Sequence, residues 1–184
     1  MSLLRAMGLL LVAYVGLLLC SVLPVVLPGR LPVPDIALLV ALHAGLTCRL
    51  IGSTSSGARD GRPAAMAAFG LVLGYIADLV GGAPRGLHAL GLCLLLLLLR
   101  SAATQLLVRG AGFIMVVAAL TAVLFGLMVA GLRAWAEPDF VFGGLPLLLG
   151  QAAMTALCAP LVFFILQRVD ARLWRDGRAQ GLTL

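Results

Sequence analysis

Apolar residues run along this chain in long blocks, not in the alternating pattern of half-buried strands or the three-to-four spacing of surface helices. Six blocks approach the roughly 20 residues a helix needs to cross a bilayer core of about 30 Å. They are 6–27, 35–51, 64–80, 87–104, 112–132 and 145–167. Pro24 and Pro28 close the first. Asp35, just past Pro34, has the position and chemistry of an N-cap for the second. The second and third blocks are short, which suggests snorkelling ends or local thinning of the bilayer. The fourth carries a Leu-rich run and then Arg100, which breaks the apolar block early. The pattern predicts an all-α fold: a polytopic integral membrane bundle of six transmembrane helices, forming one transmembrane domain over 1–184.

Arg5 ahead of the first block imitates the start of a secretory signal. The apolar run is too long for one, however, and Pro24 to Pro28 offers no small-residue cleavage site, so an uncleaved first span is expected. The longest linkers are 52–63 and 133–144, and neither approaches the roughly 50 residues of a folded domain. A nucleotide-binding domain, a kinase module and a soluble catalytic head are therefore excluded. Whatever the chain does happens within the bundle, at its rims or through a partner.

Composition agrees with the pattern: 62% of residues are hydrophobic and 11% charged, with a mean hydropathy of +1.15. Ordinary soluble domains carry about 25% charged residues. All 13 basic residues are Arg, against seven acids, for a net charge of +6. In a soluble protein that excess would suggest nucleic acid; on six spans it reads first as topology. With the N-terminus inside, ten Arg fall on the cytoplasmic side, and only Arg30, Arg85 and Arg133 fall outside. The positive-inside rule therefore places both termini in the cytoplasm and predicts no nucleic-acid partner.

Ionisable groups at membrane depth are costly and usually face the bundle interior. Asp78 ends the third span in the order Gly70, Gly74, Asp78, which puts the three on one helix face, with Gly81 and Gly82 continuing it. Small residues at that spacing let another helix approach closely, aiming the acid at protein. A simply hydrated acid at the outer interface is the plainer alternative. Gly81, Gly82, Pro84 and Gly86 then form a tight turn that carries Arg85 and His88 into the fourth span. An interfacial histidine bonded to a carbonyl is the ordinary reading of His88. Topology adds Asp35, so Asp35, Asp78, Arg85 and His88 are expected to converge at one membrane face. His43 lies about 12 Å into the second span at ~1.5 Å per residue, where bonding to a neighbouring helix is a simpler explanation than proton or ligand chemistry.

Other signals are thin. Cys20, Cys48, Cys93 and Cys158 fall in four different spans, without spacing suited to zinc or a disulfide. No nucleophile–base pair, HExxH or paired-carboxylate spacing occurs, and Ser53 to Gly57 lacks the lysine of a phosphate loop. Neither a metal nor a cofactor is expected. Arg168, Arg172, Trp174, Arg175 and Arg178 continue the last helix beyond the membrane and suit an anchor on anionic lipid, although a positive-inside stop accounts for most of the feature. Small-residue spacings at Gly126 and Ala130, and at Ala37 and Ala41, are candidate packing surfaces.

Two of these motifs carry a resemblance. PDIALL from Pro34 resembles the opening of the second span in MreD, the rod shape-determining membrane protein family. FGLVLGYIADLVGGAPRGLHALG, from Phe69 to Gly91, resembles that family's Gly-rich third span ending in Asp, its Gly/Pro turn and its Gly-Leu-His-Ala-Leu start of the fourth. The motifs cover about one sixth of the chain, and elsewhere the likeness is one of hydropathy. The Arg-only, Ala/Gly-rich composition departs from many members without altering a motif residue.

The resemblance implies a bundle similar to the substrate-binding subunits of energy-coupling-factor transporters, with an outward-facing pocket. It also implies a multi-pass protein of the bacterial cytoplasmic membrane that binds MreC. Through MreC such a protein is linked to the MreB filament and to the RodA–transpeptidase pair of the cell-elongation machinery. Asp35, Asp78, Gly81, Gly86 and His88 match the family's motif positions as structural or pocket-lining residues, with no catalytic role implied. Three functions are thus in view: a scaffold that holds partners, lipids or a second copy of itself; a small-molecule uptake subunit, for which the Ala37 and Ala41 spacing is compatible with contact to a coupling subunit; and an intramembrane enzyme, which lacks a recognisable nucleophile or metal set.

Overall fold

The computed structural model of the protein describes residues 3–26, 32–52, 62–81, 86–102, 110–136 and 144–181. They form six helices: α1 Leu3–Val26, α2 Ile36–Gly52, α3 Arg62–Gly81, α4 Leu87–Ala102, α5 Ala111–Ala136 and α6 Leu145–Gly181. Three helices are long and apolar enough to cross a membrane, through 64–81, 112–135 and 145–172; 6–22, 36–47 and 87–99 are shorter apolar segments. The last helix runs well beyond the apolar block at 145–167. Arg85, Gly82 and Pro84, with which the sequence built its turn, lie outside the described residues.

The arrangement is a ring around a centre. Helix α2 touches all five of the others, and those five touch in the closed order α1, α3, α4, α5, α6 and back to α1. The sequence of α2 explains its place. Ala37 through Gly45 are buried without a break, and apart from His43 they are all apolar or glycine, so no face of this stretch is built for water. A helix apolar all round is stable only when surrounded. Leu9 and Ala13 of α1, Leu73 of α3, Leu92 and Leu96 of α4, Ala118 of α5, and Ala159 and Leu166 of α6 are fully buried with it. In lipid there is little hydrophobic gain from joining helices, so close packing, small residues and internal hydrogen bonds must hold this ring.

Packing is closest between α3 and α4. A Cβ added to Gly74 would lie 2.4 Å from the Cα of Ala89, and one added to Gly70 would lie 3.1 Å from the Cα of Cys93. The two backbones therefore meet along the stripe that the Gly70, Gly74, Asp78 spacing predicts. Gly81 is a correction to that stripe: it is exposed, and among the described residues nothing lies within 4 Å of an added Cβ. The stripe ends at Asp78 because α4 begins level with that residue, so Gly81, one turn further along the same face, lies beyond the end of α4. The Thr121 hydroxyl is satisfied locally, donating to the Val117 and Ala118 carbonyls.

The middle of α2 is tied to α6 by a pair that sequence spacing did not suggest. His43, 1% exposed, places its Nε2 3.2 Å from Oδ2 of Asp170, and the ring meets Phe163 edge-on at 5.2 Å. The structure thus bonds His43 to a neighbouring helix.

These contacts generate a paired prediction. Gly74→Val forces α3 and α4 apart and should destabilise the purified protein by roughly 2–3 kcal/mol or more. Gly81→Ala meets nothing and should be neutral or slightly stabilising. Thermal unfolding in detergent reads both; equal effects would show that the close approach at Gly74 is not what holds the pair.

Candidate functional site

Asp78 is the centre of the polar chemistry at the end of the bundle where α3 finishes and α4 begins. It is 2% exposed. Its Oδ2 accepts from the backbone N–H of Gly86 at 2.8 Å and of Ala89 at 3.4 Å. Its Oδ1 accepts from the backbone N–H of His88 at 3.1 Å and faces the His88 Nδ1 at 2.7 Å. The first N–H groups of a helix have no partner within it, and their dipoles favour an anion. Asp78 supplies that anion from the neighbouring helix, so a buried carboxylate and an uncapped helix end satisfy each other. Gly86 makes the geometry accessible: its φ is +97°, and its carbonyl accepts the Leu90 N–H at 2.9 Å, beginning α4.

The carboxylate also sets the histidine. The 2.7 Å contact with Asp78 engages Nδ1 of His88, which leaves Nε2 on the far side of the ring. The ring lies beside Phe125 at 5.9 Å between centroids.

Asp35 acts at the start of α2. Its Oδ1 accepts the Leu38 N–H at 3.0 Å, the N-cap arrangement that its position after Pro34 predicts. Its own N–H donates to the Thr155 hydroxyl at 3.1 Å, and Thr155 donates in turn to the Gln151 carbonyl at 2.8 Å. One carboxylate thus caps the central helix while the adjacent backbone ties it to α6.

Asp35 and His88 line the same recess, a cavity of about 290 Å³ between α2, α4, α5 and α6. Helix lengths account for its walls. At ~1.5 Å per residue α5, with 26 residues, is about 39 Å long, and α4, with 16, about 24 Å, so the α5–α6 pair overtops its neighbours. Arg133, Gln151 and Thr155 add polar groups, and Leu38, Phe125, Val129, Leu147 and Leu148 add apolar surface. Gly126 and Ala130 line the recess as well. An added Cβ on Gly126 would lie 3.1 Å from Leu148, so this spacing serves α5–α6 packing inside the chain. The Ala37 and Ala41 spacing is a further correction: both are buried in the core, and no coupling subunit could reach them.

The structure therefore brings Asp78 and His88 into contact and sets Asp35 across one recess from His88, while Arg85 is not described. Sequence reasoning missed Arg133, Gln151 and Thr155. Gln151 and Thr155 did leave a signal, two polar residues four apart in an apolar block, which puts them on one helix face. Among the described residues no group of three His, Cys, Asp or Glu could hold a metal ion.

A family model described as rod shape-determining protein MreD matches residues 61–169. The matched segment contains Asp78, Gly86, His88 and Arg133, and leaves Asp35 outside it. No curated protein and no solved structure matches the chain significantly.

Asp78→Asn removes the charge and one acceptor from the cap, and should cost about 2–3 kcal/mol. The expected result is a lowered unfolding temperature in detergent together with reduced abundance in cells. A variant as stable and abundant as the parent would show that the carboxylate does not hold the α3–α4 end.

Proposed function

Because the chain belongs to the MreD family of rod shape-determining proteins, we propose that its part in rod-shape determination is that of a non-enzymatic scaffold. All six helices span the cytoplasmic membrane in this reading, in a bundle similar to the substrate-binding subunits of energy-coupling-factor transporters. Both termini lie in the cytoplasm, as the ten-to-three division of Arg requires. The scaffold binds MreC and through it helps control MreB-linked sidewall peptidoglycan synthesis by the RodA–transpeptidase pair.

The observation that carries the proposal is the family match, which runs from the start of α3 through most of α6. Architecture narrows how a partner is held. The linkers are too short for a docking domain, which leaves the helix faces and the recess. With the termini inside, the recess opens away from the cytoplasm, where it is accessible to the segment of a single-span partner next to the membrane. Arg133, Asp35, Gln151 and His88 offer that segment charged and hydrogen-bonding contacts over an apolar wall.

A second reading, small-molecule uptake, is favoured by the recess alone, whose size suits a small ligand better than a folded partner. Burial of Ala37 and Ala41 removes the coupling surface that the sequence offered for it.

Co-purification in detergent with full-length MreC tests the scaffold. A stoichiometric complex is expected, and Ala130→Trp, which fills the recess, should weaken it at least ten-fold. Absence of a complex while both proteins remain folded would remove the scaffold reading. A complex indifferent to Ala130→Trp would move the contact to the helix faces.

A further inference from the structure

Helix α6 carries two chemistries on opposite faces, and the outward one is unused by the scaffold. Ala152, Thr155, Ala159, Val162, Phe163 and Leu166 are buried. On the other face Leu157 is 62%, Leu161 64% and Phe164 54% exposed, and Arg168 and Arg172 are exposed above them. These five follow one another at intervals of three or four residues, the spacing that stacks side chains along one face.

Three further observations give this face an occupant. Leu157 to Arg168 is eleven residues, about 16 Å at ~1.5 Å per residue, close to half of a roughly 30 Å hydrocarbon core. The apolar part thus has the length of one leaflet, and the arginines begin where its phosphates lie. The Arg168 guanidinium sits 4.8 Å from the centre of the Phe164 ring, which holds it over the boundary between tail and headgroup. Finally, Asp170, the acid between the two arginines in sequence, is turned inward to His43. That contact fixes the rotation of the helix and leaves cationic charge on its outer face.

We propose that Leu157, Leu161, Phe164, Arg168 and Arg172 form a binding site for one anionic phospholipid. An acyl chain lies along the apolar residues, and the two guanidinium groups take the phosphate, whose oxygens match their planar forks. The site distinguishes an anionic lipid from a zwitterionic one because the latter brings its own cation to the same place.

Native mass spectrometry of the full chain in detergent tests it, with phosphatidylglycerol, phosphatidylethanolamine and free glycerol 3-phosphate as probes. The parent should bind one phosphatidylglycerol roughly ten-fold or more tightly than phosphatidylethanolamine, given two arginines near the headgroup. Glycerol 3-phosphate should neither bind nor compete. The double variant R168Q/R172Q should lose most of the preference, and R168K/R172K should keep part of it. Phe164→Leu retains the apolar contact and should reduce the preference a few-fold, providing a second test if the glutamine variant does not purify folded. Equal affinity of the parent for both lipids, full preference in R168Q/R172Q, or competition by glycerol 3-phosphate would overturn the assignment. In the first case the face is left to a protein partner.

Discussion

Inside a bilayer the first N–H groups of a helix have no water to bond, so each must find an acceptor within the protein. At α4 the acceptor is Asp78, and much of the bundle's local order follows from that pairing. For the carboxylate to reach the N–H groups of Gly86, His88 and Ala89, α3 and α4 must nearly touch one turn earlier. Gly74 permits this by offering no side chain where Ala89 passes. Gly86 supplies the positive φ that turns the chain into the helix. The glycines and the acid are thus one device. Removing the acid would leave the close approach without its electrostatic anchor, and filling Gly74 would carry the acid out of range.

The same pairing reaches the recess through His88. The carboxylate in contact with Nδ1 fixes the orientation of the ring that lines the recess. Asp35 shows a related economy at the start of α2. Its side chain caps its own helix while its backbone N–H engages α6 through Thr155. Both acids accept backbone N–H groups at a helix start, and Asp78 adds the ring of His88. A second carboxylate–histidine contact, Asp170 with His43, joins the middle of α2 to the far part of α6.

Much of this was legible before any coordinates. The block lengths foretold six helices, and Pro34 followed by Asp35 foretold a cap. The four-residue spacing of Gly70, Gly74 and Asp78 foretold a packed stripe, because helical periodicity is a local property. What sequence could not supply was the ring: an unbroken apolar run at 37–42 says that α2 is surrounded, but not by which helices. Two features depended on that missing order. His43 and Asp170 are 127 positions apart, and nothing in either neighbourhood names the other. Arg133 counted toward topology as one outward Arg among three, and only the height of α5 over α4 turns it into a recess residue. Gly81 misled for a different reason: it keeps to the face of Gly70 and Gly74 but lies beyond the start of α4, a limit that no spacing within α3 reveals.

The chain's charges then divide into two populations with different physics. Asp35, Asp78 and Asp170 are each engaged by a defined group, so their charges stabilise internal geometry and offer a partner little that is not already bonded. Arg168 and Arg172 are exposed on a face whose lower part is apolar, so their charges are directed at whatever surrounds the protein. The three acids and the two arginines therefore serve different surroundings, the first the interior of the bundle and the second its exterior. The recess stands between these cases, because His88 and Asp35 are held in place by other groups while still lining open space. Groups already fixed by their neighbours lose little freedom when a partner arrives, which makes the recess the part of this bundle best prepared to bind one.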